Sequence, residues 1–167
     1  MRSLVAIAEI GGQPLNDEGW RALENALRYF REAAPKHTAD EELSLFPRLR
    51  ELHSPECEAV FTKMDELEKD HQWAASLHTE VDRLGRQYLE DGILSDVEAA
   101  EFLKAVEALA AMYQRHIAVE DEALFPLAAI VLSETDKLAI AMRWPPAGRL
   151  KRREMTSGVA HSSPVLA

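Results

Sequence analysis

Two stretches of this 167-residue chain repeat one pattern: HTADEELSLFP at residues 37–47 and HIAVEDEALFP at residues 116–126. Both follow H-x-A-x-E-[ED]-x-x-L-F-P, with six of eleven positions identical and a seventh acidic in both. Because residues four apart lie on one face of an α-helix, each copy places its histidine one turn from its first glutamate. The repeat therefore predicts two helices that carry matching histidine–glutamate pairs.

Helical periodicity extends outward from both copies of the repeat. Apolar positions recur at steps of three and four residues through three long segments, 17–52, 55–91 and 95–131. This spacing is typical of amphipathic helices that bury one face. Pro35 and Pro47 are expected to kink the first of these helices.

Two shorter helices complete the predicted architecture. Residues 3–10 are read as the end of a helix closed by Gly11-Gly12, and residues 133–142 as a short capped helix. Long helices with short connections pack antiparallel, so the fold class predicted is all-α, an up-down-up-down four-helix bundle with a shortened first helix. Residues 1–142 are expected to form this bundle, and residues 143–167 a loosely ordered basic tail.

The composition excludes several classes of protein. Apolar residues make up 47% and charged residues 29%, which is ordinary for a globular chain and unlike a disordered or collagen-like one. The net charge of −10 argues against a general nucleic-acid or anionic-membrane binder. The longest nearly apolar run, residues 123–132, is too short to span a bilayer. With Cys57 as the single cysteine, we expect a cytoplasmic protein without membrane or nucleic-acid partners.

The predicted bundle brings three histidines to one layer. His37 lies fifteen residues before one helix ends, and His71 lies sixteen residues after the next one starts. His71 and His116 are level for the same reason. His71 lies twenty residues before its helix ends at residue 91, and His116 lies twenty-one residues after the next helix starts at residue 95. Glu41 and Glu120 accompany the two repeat histidines. Five polar side chains are thus expected inside the apolar core.

Such side chains need partners, because burying a histidine or a glutamate alone costs several kcal/mol. One interpretation is a buried hydrogen-bonded network. The other, which we favour because the pattern is duplicated and level, is a metal site. Imidazole and carboxylate ligands suit iron, zinc or manganese, and two bridging carboxylates can hold two such ions close together.

The double motif, together with Asp70-His71, resembles the helix motifs of the hemerythrin-like family, the HHE cation-binding domains. The resemblance covers roughly residues 1–142 and implies a four-helix bundle with a non-haem di-iron centre. It implies terminal ligands at His37, His71 and His116 and bridging ligands at Glu41 and Glu120. It also implies binding or sensing of dioxygen or nitric oxide, or of iron and redox state.

One departure from the family pattern concerns the first helix, which normally contributes another histidine. A helix that reaches the metal layer would need about twenty more residues before Gly11. We therefore expect the chain to start inside that helix, and the centre to be open, mononuclear or empty. A shortened helix would also expose an apolar groove, which predicts a homodimer.

Three further residues are weaker candidates. His78 lies two turns beyond His71 and is expected in the next layer, near Tyr113. Glu42 and Asp121 follow the two bridging glutamates and are expected to face an adjacent helix, where they would act as outer contacts or extra ligands.

Three functions compete at this point. The first is a metal-binding protein that carries or senses a small diatomic ligand, for which no catalytic residue is expected. The second is a di-iron enzyme of the ferritin or oxidase type, whose mark is a Glu-x-x-His in each of two helices. Here that mark occurs once, at Glu68 and His71. The third is a metal-free helical interaction or dimerisation module.

Overall fold

The computed structural model describes residues 1–143, and every regular element in that range is helical. The α-helices are α1 (Arg2–Glu9), α2 (Asp17–Glu32), α3 (Ala34–Asp40), α4 (Phe46–Glu51), α5 (Pro55–Asp91), α6 (Asp96–Val119), α7 (Phe125–Val131) and α8 (Glu134–Arg143). Two π-helical segments interrupt the series, π1 (Glu41–Leu45) before α4 and π2 (Glu120–Leu124) before α7. The prediction of an all-α bundle is confirmed.

The long central helices begin and end where the sequence places caps. The Ser54 side chain accepts a hydrogen bond from the Cys57 N–H at the start of α5. Gly92 ends this helix in the left-handed region, at φ 78°, which a residue with a Cβ rarely adopts. Ser95 and Glu98 form a reciprocal capping box that starts α6. These signals set a short connection between two antiparallel helices.

The first long helix differs from the prediction of one kinked α-helix. It is divided at Ala33, and the proline of each repeat lies in the first turn of a new helix, behind a π segment. Pro47 has no N–H to continue the α-helical ladder. In the turn before it, the Phe46 N–H bonds to the Glu41 carbonyl five residues back instead of four. The repeat therefore encodes a π segment that begins at the glutamate.

The core consists of two apolar clusters along the bundle. One surrounds Phe30, Tyr88 and Phe102, and the other surrounds Phe46 and Met64. The helices that connect these clusters are α5, α6 and the series from α2 to α4. Every predicted ligand lies on the stretch between the clusters, so a polar layer separates two apolar ones.

The first helix is as short as predicted and packs against α6 and α2. Its C-terminal end is fixed by the Tyr88 hydroxyl, which donates to the Ile10 carbonyl at 3.0 Å. Seventeen residues separate Tyr88 from His71 on α5, a rise of about 25 Å, whereas the eight residues of α1 extend only about 12 Å. The layer around His71 therefore lies beyond the reach of α1.

The last two predictions about the fold concern the basic tail and the absence of a membrane-spanning segment. The predicted basic tail, apart from Arg143, lies outside the described residues. Within residues 1–143, no helix combines the length and the apolar character needed to cross a membrane.

Candidate metal centre

The polar layer brings the five predicted ligands together. The Nε2 atoms of His71 and His116 are 3.2 Å apart, and His71 Nε2 is 3.3 Å from Glu41 Oε2. His116 Nε2 lies 3.3 Å from Glu120 Oε1. His37 Nε2 lies 3.5 Å from one oxygen of each glutamate. These residues come from three parts of the bundle: α3 with π1, α5, and α6 with π2. The site therefore joins these three parts.

The ligand atoms fall into two groups that share one residue. Glu41, His71 and His116 form one group, and His37, Glu41 and Glu120 form the other. Within each group the atoms lie within 4.8 Å of one another. The two oxygens of Glu41 face different histidines, since Oε2 faces His71 and Oε1 faces His37. Glu41 is therefore the residue that the two groups share.

Burial makes this arrangement costly for the protein alone. Glu41 and Glu120 are each 1% exposed, and His116 is 3% exposed. Neither carboxylate oxygen of Glu41 makes a hydrogen bond of ordinary geometry with the described residues. A buried carboxylate without good hydrogen bonds is strongly destabilising unless a cation is close. The donor set of three imidazoles and two carboxylates fits iron, and it fits zinc or manganese as well.

The two glutamates do not ionise alike. Burial, reinforced by the negative charge of Glu120, raises the pKa of Glu41 to about 9. Burial opposes ionisation of Glu120 too, but hydrogen bonds from His116 and His37 outweigh it, and the pKa of Glu120 is lowered. Without a cation, the pair therefore retains a proton on Glu41 at neutral pH.

Two further carboxylates contact the histidines from the opposite side of the ring. Glu42 Oε1 lies 2.9 Å from His71 Nδ1, and Asp70 Oδ2 lies 3.5 Å from His116 Nδ1. The expectation that Glu42 faces an adjacent helix therefore agrees with the structure. The sequence gives Asp70 only as part of the Asp70-His71 pair and does not indicate its contact with His116. Asp121, which is exposed, belongs to neither ligand group.

His78 lies beside the centre and belongs to neither group of ligand atoms. Its Nε2 is 2.9 Å from the Tyr113 hydroxyl, and its ring stacks on Phe30 with centroids 4.5 Å apart. Burial lowers the pKa of His78 to about 4, so the ring is neutral at physiological pH. The structure places His78 beside Tyr113, where the sequence puts it, and a hydrogen bond joins the two side chains.

A groove between the α2–α3 series and α5 leads from the surface to the centre. Its volume is about 1260 Å3, and small side chains such as Ala34 and Ala74 leave it open. His71 and Glu42 line one part of it, and Asp82 lies farther along. Nothing in the sequence pattern indicates this groove, because its width depends on how closely the helices pack. It gives a small molecule a path to His71.

Comparisons with known proteins identify the family. The family model of the Hemerythrin HHE cation binding domain matches residues 1–128. A protein of Haemophilus influenzae (strain ATCC 51907 / DSM 11121 / KW20 / Rd), described as uncharacterized, is 36% identical over 126 residues, which cover 72% of this chain and 67% of that protein. No solved structure gives a significant match. The chain belongs to the hemerythrin HHE cation-binding domain family.

Proposed function

We propose that this protein binds two non-haem iron ions and uses them to bind or sense dioxygen or nitric oxide, or to respond to iron or redox state. The observation that supports a pair of ions is the position of Glu41, which belongs to both groups of ligand atoms. Membership of a cation-binding family supports the presence of a metal but does not choose the ion.

The five residues would hold the two ions in different ways. His71 and His116 would hold one ion and His37 the other, while Glu41 and Glu120 would bridge them. A bound iron pair would supply coordination of a small ligand and exchange of electrons with it. The protein side chains would hold the ions in the polar layer between the two apolar clusters, and those clusters would limit the entry of water.

The open positions of the site favour a small ligand. The His37 side chain is 26% exposed, whereas that of Glu41 is 1% exposed. The groove beside α5 is lined in part by His71. An ion held by His37 would therefore lie nearer to solvent than the rest of the layer. This asymmetry suits binding of a diatomic molecule at one end of the pair.

We also propose a cytoplasmic location and a homodimer. A lone buried cysteine suits a reducing compartment. The homodimer proposal rests on large apolar side chains that are exposed in the described part of the chain, such as Leu43 and Trp73. Light scattering at micromolar concentration should give twice the chain mass, and a monomer would count against the dimer.

Metal analysis of aerobically purified protein, combined with visible absorption, tests the proposed function. The expected result is about two iron ions per chain and an absorption spectrum that changes reversibly with dioxygen or nitric oxide. Turnover of peroxide would favour the oxidase alternative. Failure to take up metal at stoichiometric supply would refute both and leave the interaction module.

A further inference from the structure

Two carboxylates that are not in the proposed ligand set approach its histidines. Glu42 Oε1 lies at hydrogen-bond distance from His71 Nδ1, 2.9 Å, whereas Asp70 Oδ2 lies 3.5 Å from His116 Nδ1, which makes no hydrogen bond of ordinary geometry with the described residues. Each acid is the sequence neighbour of a proposed ligand, since Glu42 follows Glu41 and Asp70 precedes His71. Each also reaches across to a histidine on another helix. The Glu42 contact thus joins π1 to α5, and the Asp70 contact joins α5 to α6.

These contacts bear on where the ring protons lie. An ionised carboxylate only accepts hydrogen bonds, so the histidine nitrogen that faces it must carry the proton. For a neutral imidazole this leaves the other nitrogen, Nε2, with a free lone pair. In both rings Nε2 is the atom that faces the polar layer.

The two Nε2 atoms are close enough for the position of the ring protons to decide which atom donates and which accepts. They lie 3.2 Å apart, and His71 Nε2 is 3.3 Å from Glu41 Oε2. With His71 protonated on Nδ1, its Nε2 accepts the hydrogen bond between the two rings when no cation is present, and His116 Nε2 donates it. A cation bound here would meet a His71 Nε2 lone pair that needs no loss of a proton.

We propose that Glu42 is a positioning residue that holds His71 in the Nδ1–H tautomer, so that its Nε2 lone pair is directed at a cation in the polar layer. This inference rests on the proposed function, because the cation is one of the two proposed above. Carboxylates in this position commonly raise the basicity of a metal-bound imidazole and fix its orientation.

The test uses variants that remove or keep the acceptor. Glu42→Leu and Asp70→Leu remove it, whereas Glu42→Gln and Asp70→Asn keep an oxygen in a side chain of nearly the same size. Glu66→Leu, at an exposed position on α5, serves as the control. Nitrogen-15 NMR of the metal-free proteins reports the tautomer of each ring, and competition with a chelator reports the affinity for Zn2+, which is redox-inert.

We expect Glu42→Leu to shift the tautomer of His71, whereas Asp70→Leu, which removes no hydrogen bond, should leave the His71 tautomer unchanged. Zinc affinity should fall about 10–100-fold in Glu42→Leu. The amide variants should keep the Nδ1–H tautomer of His71 and lose less affinity, and Glu66→Leu should match the wild type. A general loss of folding would not alter one ring selectively.

Two results would overturn the inference: an Nε2–H ring at His71 in the wild-type protein, or an unchanged Nδ1–H ring at His71 in Glu42→Leu. If a leucine variant does not fold, the wild-type spectrum still decides. Failure of the wild-type protein to bind any metal would refute the proposed function instead. The tautomers are read without metal, so the two failures are distinguishable.

Discussion

Replacing Glu41 with glutamine should have opposite effects on the metal-free and the metal-loaded protein. The amide has nearly the same size as the carboxylic acid but cannot ionise. Because Glu41 is shared by both ligand groups, its loss should weaken both ion sites rather than one. We therefore expect Glu41→Gln to bind fewer than one iron ion per chain under conditions that load the wild type.

The metal-free variant should be more stable than the wild type near neutral pH. Burial raises the pKa of Glu41 to about 9 from 4.5, so between these values the folded state binds more protons than the unfolded state. Stability from this group therefore falls as pH rises through that window. At about 1.4 kcal/mol per pH unit, the cost at pH 7 is on the order of 3 kcal/mol, and glutamine removes it.

Denaturant unfolding of chelator-treated proteins measures this difference. Glu41→Gln should exceed the wild type most at pH 8, less at pH 7 and hardly at all at pH 5. Glu66→Gln, on the exposed face of α5, should follow the wild type at every pH. A metal-free Glu41→Gln that is less stable than the wild type at pH 7, or that still holds two ions, would refute the reasoning.

Three further predictions concern single residues and protons. His37→Ala should lose one ion and keep the other, because His37 belongs to one ligand group only; metal analysis would disprove this if both ions remained. His78→Phe should keep the full metal content and lose about 1 kcal/mol of stability with the Tyr113 hydrogen bond, and a loss of metal in the folded variant would make His78 a ligand after all. Metal binding at pH 7 should release about one proton, since the ion displaces the proton on Glu41; calorimetry in buffers of different ionisation enthalpy measures this, and release of none would contradict it.

Much of the fold could be predicted because one periodicity governs it. The apolar spacing marks the long helices, and their equal rise per residue shows that His37, His71 and His116 are level. The caps at Ser54 and Ser95 are local, so they too can be read from sequence. These features depend on position along one helix.

The features that were not predicted depend on how helices face one another. A π segment adds one residue to a helical turn. The spacing of apolar residues around Glu41 does not reveal this extra residue. The contact from Asp70 to His116 depends on the rotation of α5 against α6. The groove beside Ala34 and Ala74 depends on the spacing between helices. Spacing along the chain contains none of these quantities.

An X-ray structure of crystals soaked in iron, recorded at the iron absorption edge, tests the central claim most directly. Two anomalous peaks should lie beside the Glu41 and Glu120 carboxylates, one near His71 and His116 and the other near His37. No peak in this layer, or iron bound only elsewhere on the protein, would contradict a shared two-ion centre.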